Sequence, residues 1–215
     1  MNSRFPAGAQ PVKLYGFPLS GHSHRVNLLL SLLDVPHEVI TVDLPNGAHK
    51  SPDFLKLNSF GVVPVIDDNG YILSESTAIL VYLAKKYDPS GKWLPEDAGK
   101  AGEVHRWLAV ASGALAAGPG AARLVKVFNA PLDHAAATKK AHDLLTVLEE
   151  ILSSRSYLAG DEITIADIAG YSYVAHAPEG GVFLDDYPAV RKWLSRIEAQ
   201  DRFIGMPKSA IPEAA

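Results

Sequence analysis

Four short stretches carry side chains whose types and spacing could do chemistry. In GFPLSGHSHR, Gly16 to Arg25, two hydroxyls, Ser20 and Ser23, stand where a strand-like run gives way to a helical one. A serine at such a junction has two uses. Its oxygen can cap the helix by accepting a backbone N–H, and its proton can go to an anion held at the positive end of the helix. The same stretch holds His22 and His24, but a metal would need a third ligand and helper carboxylates for which the sequence has no pattern, so they read as a polar loop and helix start. His49 and Lys50 precede a serine cap, where they could meet a carboxylate or simply face water. Glu75 and Ser76 open an apolar helical run; free backbone N–H groups there suit an anion, while Ser74 or Ser76 could instead cap the helix. The fourth stretch is FGVVPVI, Phe60 to Ile66, which reads as a buried strand except that Pro64 cannot donate to a sheet ladder.

Composition narrows what these groups could serve. The 215 residues are 47% hydrophobic and 20% charged, the composition of a globular chain with a substantial core. A formal charge of −4 and a pI near 6.0 give no general attraction to nucleic acid or to an anionic membrane, so affinity for anions has to be local. No window is expected to approach the roughly 18 apolar residues of a membrane span, and MNSRFPAGAQ lacks the apolar core of a signal peptide. A cytoplasmic protein is the expectation. With no cysteine, the chain can form no disulfide, no thiolate metal site and no thiol nucleophile of its own. Sulfur chemistry at this site would have to use the ligand's sulfur.

The elements that must position these groups change type along the chain. VKLY (12–15) reads as a strand ending at Gly16, and Ser23 to Leu33 as a helix with Val26, Leu29, Leu30 and Leu33 on one face, stopped by Asp34 and Pro36. Residues 38–42 are a β-branched strand, and Ser51 with Pro52 begins a short helix. Strands at 63–66 and 71–73 flank DDNG, whose Asn-Gly pair signals a tight hairpin, and 76–87 is a helix. The order is βαβαββα. After the proline- and glycine-bearing linker at 88–98 no strand-like alternation appears. Helical spacing runs from Gly99 to Ala117, is expected to break at GPG (118–120), and is strongest in the stripe Leu144, Leu145, Leu148, Ile151 and Leu152. Thr164 and Asp167 form a capping-box start, and a last helix is expected at 189–200.

LYGFPLS, HKSPDFLKLNSFGVVPV, ESTAILVYL and YLAGDEITIADI, in that order, resemble a cytosolic glutathione S-transferase over essentially the whole chain from about Val12. The pattern is most similar to the phi and theta types, which use serine rather than tyrosine at the catalytic turn. The resemblance implies an α/β thioredoxin-like domain at 12–87 behind an extension at 1–11, and an all-helical domain at 99–215 beyond the linker. It implies a homodimeric enzyme that takes glutathione and a small hydrophobic electrophile, with no cofactor and no metal. A glutathione-dependent peroxidase or isomerase, or a non-catalytic ligand-binding protein, are the alternatives on the same scaffold.

The resemblance also assigns residues. A thiol with pKa near 8.5 is only a few per cent thiolate at pH 7, and a donated hydroxyl hydrogen bond favours the charged form. Ser20 matches that hydroxyl, with Ser23 in reserve. Val63 would hold the cysteinyl part of glutathione through its main chain, ahead of a cis bond to Pro64. Glu75 and Ser76 match the γ-glutamyl site, and His49 and Lys50 the glycine carboxylate. Val62 stands where the family often has glutamine, so one side-chain contact to the ligand is missing. Trp107, Ala111 and Leu115 are candidates for the co-substrate pocket, although by spacing Trp107 and its neighbour Arg106 belong to helix packing. Phe60 matches an aromatic residue that inserts into the partner subunit.

Overall fold

The computed structural model describes residues 10–211; residues 1–9 of the expected extension and 212–215 lie outside the described residues. Alternation along β1 (Val12–Gly16) sends Leu14 into one apolar cluster and Tyr15 into another, so this strand is buried on both faces. It is a central strand of a sheet ordered β2-β1-β3-β4, with β2 (His37–Thr41) parallel to it and β3 (Val65–Asp68) antiparallel. β4 (Tyr71–Ser74) pairs antiparallel with β3. Asn69 and Gly70 both take positive φ between them, as the two-residue hairpin requires.

Helix α1 (Gly21–Leu32) begins two residues before the position that side-chain spacing predicts. Ser20 is its N-cap and accepts the Ser23 N–H at 3.2 Å. Gly21 permits this start, because a Cβ there would meet the Tyr173 ring at 2.9 Å. Helix α3 (Ser76–Tyr87) shares the larger apolar cluster with α1, while α2 (Pro52–Leu57), capped by Ser51, adds Phe54 to the smaller cluster with Val42 and Val65.

The connecting segment is not a free tether. Trp93 and Leu94 are buried, and the Trp93 carbonyl accepts the Ile165 N–H at 3.0 Å. Beyond it lie α4 (Ala98–Ser112), α5 (Ala121–Phe128), α6 (His134–Ser154), α7 (Ile165–Ala175) and α8 (Pro188–Glu198). Every residue of α7 from Ile165 to Val174 is buried, so α7 is the axle of this half. One apolar cluster runs continuously from Val12 to Ile197 and joins the two halves.

Two expectations are corrected here. GPG does not break the helical run: residues 116–120 form a wider π-helical turn leading straight into α5. The wider winding accommodates Pro119, which has no N–H to give, and Gly118 lets the turn pass α6 where a Cβ would lie 3.0 Å from the Ala141 nitrogen. The resulting run, 98–128, is long and apolar enough to cross a membrane by length and composition. Its apolar residues Val104, Trp107, Leu108, Ala111, Leu115 and Ala122 are instead packed in the core.

Candidate active site

The turn from β1 into α1 is built by its own hydroxyls. Ser20 N–H donates to the Phe17 carbonyl, and Phe17 N–H donates to Ser23 Oγ at 3.2 Å. Ser23 is thereby buried and committed to the turn. Ser20 instead lines a cavity of about 380 Å³. Its oxygen accepts from Ser23 N–H as a cap, yet its hydroxyl proton has no acceptor among the described residues. A hydroxyl has one donor and two acceptor positions, so capping leaves the donor free.

From the α/β half, Phe17, Leu19, His22, Leu44, His49, Lys50, Gly61, Val62 and Val63 line the same cavity. The Val63–Pro64 bond is cis, as the resemblance implies. Val63 pairs with no strand, and neither its N–H nor its C=O is hydrogen-bonded within the described residues. The loop that carries it is held on both sides. Lys50 Nζ donates to the Gly61 carbonyl at 2.8 Å, and Asn58 Nδ2 donates to that of Val62 at 2.8 Å. Gly61 has φ +59°, and a Cβ there would lie 2.9 Å from the His49 carbonyl oxygen. His49 Nδ1 is buried without a partner. No carboxylate lines the cavity, whose charged lining residues are Lys50 and Arg123.

Glu75 and Ser76 sit behind this wall. Glu75 is exposed, takes φ +70° at the N-cap of α3, and makes no side-chain cap bond, so ordinary capping does not consume the first turn of that helix. Ser76 is buried; its Oγ accepts from Arg25 Nη1 at 3.3 Å and lies 3.3 Å from His22 Nδ1. His22 in turn lines the cavity, which connects α3 to it. Burial, with the Arg25 charge adding, pushes the His22 imidazole down to about 3.

The helical half contributes Ala116, Gly120, Arg123, Leu124, Phe128 and Tyr173 to the opposite wall. Trp107, Ala111 and Leu115 are not among them. All three are sealed in the core, Trp107 and Ala111 on α4, which packs against α7, and Leu115 at the entry to the π-helical turn; the apolar wall comes instead from that turn and α5. Arg123 bridges the halves. Its Nη1 donates to the Leu19 carbonyl at 2.8 Å, one residue before Ser20, and its Nε to Glu179 at 2.6 Å. A larger recess of about 920 Å³, between the 88–98 segment and the loop before α7, holds no residue nominated for catalysis or glutathione binding. Thr164 and Asp167 make the expected reciprocal cap; Thr164 borders this recess, and neither residue lines the cavity that holds Ser20.

Family models match the two halves separately: the glutathione S-transferase N-terminal domain over residues 10–85 and the C-terminal domain over 115–201. The chain is 38% identical to glutathione S-transferase 3 of Zea mays over 90% of its length and 91% of that protein's. It is 31% identical to human glutathione S-transferase theta-2 over 84% of this chain and 78% of the relative. The crystal structure of a glutathione S-transferase from Pseudomonas fluorescens superposes with a TM-score of 0.86 at 32% identity, covering 92% of this chain and 99% of that one.

Proposed function

The chain belongs to the cytosolic glutathione S-transferase family and is a glutathione transferase, and we propose that its active site is the cavity at the β1–α1 turn with Ser20 as its catalytic residue. The observation that carries this assignment is the state of the Ser20 hydroxyl: its oxygen is committed to capping α1 while its proton is uncommitted and in the cavity. That O–H donates a hydrogen bond to the glutathione sulfur while keeping its proton, and the N-terminus of α1 also favours the sulfur as an anion.

The rest of glutathione is held around that sulfur. The unpaired N–H and C=O of Val63 pair with the cysteinyl backbone as an added strand would. The open first turn of α3, with Glu75 and Ser76, takes the γ-glutamyl end, and His49 with Lys50 takes the glycine carboxylate. With the thiol proton released to solvent, the thiolate uses a sulfur lone pair to form a carbon–sulfur bond to a small hydrophobic electrophile lying against Phe17, Leu19, Leu124, Phe128 and Tyr173, and the electrophile's leaving group departs to water with the electron pair of the broken bond. These groups complete the chemistry without a cofactor. The enzyme acts in the cytoplasm as a homodimer.

Ser20→Ala tests the assignment. The pKa of bound glutathione, followed by thiolate absorbance in the ultraviolet, should rise by about one to two units while glutathione binding changes little. Conjugation near pH 7 should fall roughly ten-fold or more, with the deficit shrinking toward the free-thiol pKa. An unchanged thiol pKa together with a lower melting temperature would reduce Ser20 to a helix cap.

A further inference from the structure

Behind the cavity wall, α1 and α3 share a buried cation without a counter-charge. Arg25 has no exposed surface and no carboxylate partner among the described residues, and its Nε and Nη2 make no hydrogen bond. Its one bond is from Nη1 to Ser76 Oγ, and its guanidinium carbon lies 5.6 Å from the Tyr173 ring centroid. A guanidinium buried in this way is costly unless an anion accompanies it. The cavity next to it is where the enzyme needs an anion.

The bonding also has a direction. A guanidinium can only donate, so Ser76 Oγ accepts from Arg25. With one lone pair of its oxygen so occupied, Ser76 keeps a proton that it can donate to His22 Nδ1, 3.3 Å away. An imidazole that accepts at Nδ1 carries its proton on Nε2. His22 Nε2 has no hydrogen-bond partner among the described residues and is not sealed from solvent. The ring stands edge-on to Tyr173 at 5.0 Å, and the charged or titratable groups around it are Arg25, Tyr173 and, lining the same cavity, His49, Lys50 and Arg123. None of these is a carboxylate that could take the Nε2 proton in place of the ligand. The low His22 pKa keeps the imidazole neutral through the working pH range, and the Ser76 contact sets its tautomer.

We propose that His22 is a second catalytic donor to the glutathione sulfur, its Nε2–H set by Arg25 through the Ser76 hydroxyl and presented in the cavity beside Ser20. Arg25 and Ser76 act as positioning residues, and the γ-glutamyl carboxylate is left to the backbone N–H groups of the α3 first turn. This rests on the transferase reading of the same cavity.

His22→Phe keeps a ring against Tyr173 and removes both nitrogens, whereas His22→Gln returns an amide N–H near the Nε2 position. In the ultraviolet titration of bound glutathione, His22→Phe should raise the thiol pKa by about one unit, and His22→Gln should restore most of the shift. kcat/KM at pH 6.5 should fall roughly ten-fold in His22→Phe, and the deficit should close toward pH 9. Nitrogen-15 NMR of the wild-type imidazole should show the Nε2–H tautomer, and Ser76→Ala should mix the tautomers. A wild-type Nδ1–H tautomer, or a bound-thiol pKa unchanged in His22→Phe, would overturn the proposal. Both can be read where wild-type protein binds glutathione with a lowered thiol pKa. A wild-type protein that binds no glutathione would instead remove the transferase reading beneath it.

Discussion

A serine that caps a helix and a serine that activates a thiol use different atoms of one hydroxyl, so the cap at Ser20 leaves room for the thiol-activating role proposed for it. Ser23 is buried and does not line the cavity, a placement that depends on where α1 starts, a boundary that side-chain spacing does not resolve. His22 and Arg25 were invisible as site residues for a different reason. Arg25 lies one helical turn from Leu29 on the inward face of α1, and that unusual placement is a signal, but the Ser76 hydroxyl that gives it meaning is 51 residues away. His49 and Lys50 reach the cavity as the resemblance implies, with unequal duties. Lys50 also holds the Phe60 and Gly61 carbonyls, whereas His49 has a buried, unpartnered Nδ1. His49→Ala should therefore raise the KM for glutathione with little effect on turnover or melting temperature, the pattern of a group that holds ground and transition state alike. Lys50→Ala should raise KM and lower the melting temperature together. Calorimetric glutathione affinity unchanged in both variants would place the glycine carboxylate elsewhere.

Strands and helices were legible where one face meets the core and one meets water. The hairpin at Asn69–Gly70, the Ser51 cap and the stripe of α6 all follow from local chemistry. Local chemistry failed at GPG, because Pro119 and Gly118 read as breakers in sequence, whereas the wider turn accommodates the proline and the missing Cβ lets α6 approach, a contact distant in the chain that local spacing does not show. It also understated Asp167. The capping box accounts for the Thr164 N–H, but the carboxylate takes in addition the Leu158 N–H at 2.9 Å and the Trp193 indole N–H at 2.8 Å. Asp167→Ala should orphan three buried donors and cost about 3–5 kcal/mol, more than a cap alone, which lowers the melting temperature by roughly 10 °C for a chain of this size. The KM for glutathione of the soluble protein should not change, and lost activity at a normal melting temperature would reassign the residue. Burial pushes the Asp167 carboxyl up to about 6, against about 3.9 in an unfolded chain. The folded state thus binds the extra proton, and this group's contribution to stability is largest below about pH 4 and declines as pH rises to about 6. Denaturant melts of wild type and Asp167→Asn should accordingly converge between pH 4 and pH 7; a gap that widens over that range would reverse the assignment.

That the chain has two halves is legible from the change of period near residue 88, but how the halves meet is not, and the helical wall of the cavity shows why. Helical spacing tells that Trp107, Ala111 and Leu115 face something apolar; it cannot tell a core from a pocket, and here the partner is the core. The wall is decided by α5, whose Arg123 reaches across to Leu19. The exposed surface poses the converse question. Phe60 is 72% exposed at the rim of the loop that carries Val63, with Lys50 and Asn58 bonded to its backbone, so a large apolar ring stands out into solvent. Packing within its own subunit is thereby ruled out as its role. Insertion into a second copy of the chain would bury the ring, contributing about 2–3 kcal/mol. Light scattering at micromolar concentration should give about twice the 23.0 kDa chain mass. Phe60→Ala should raise the dimer dissociation constant by roughly 30- to 150-fold, at 1.4 kcal/mol per decade, and sedimentation velocity across a dilution series would measure it. A wild-type monomer would defeat the dimer itself. A dimer equally tight with alanine at position 60 would leave the assembly standing and take the ring out of it, moving the search for the interface to the exposed Tyr71 and Ile72 of β4.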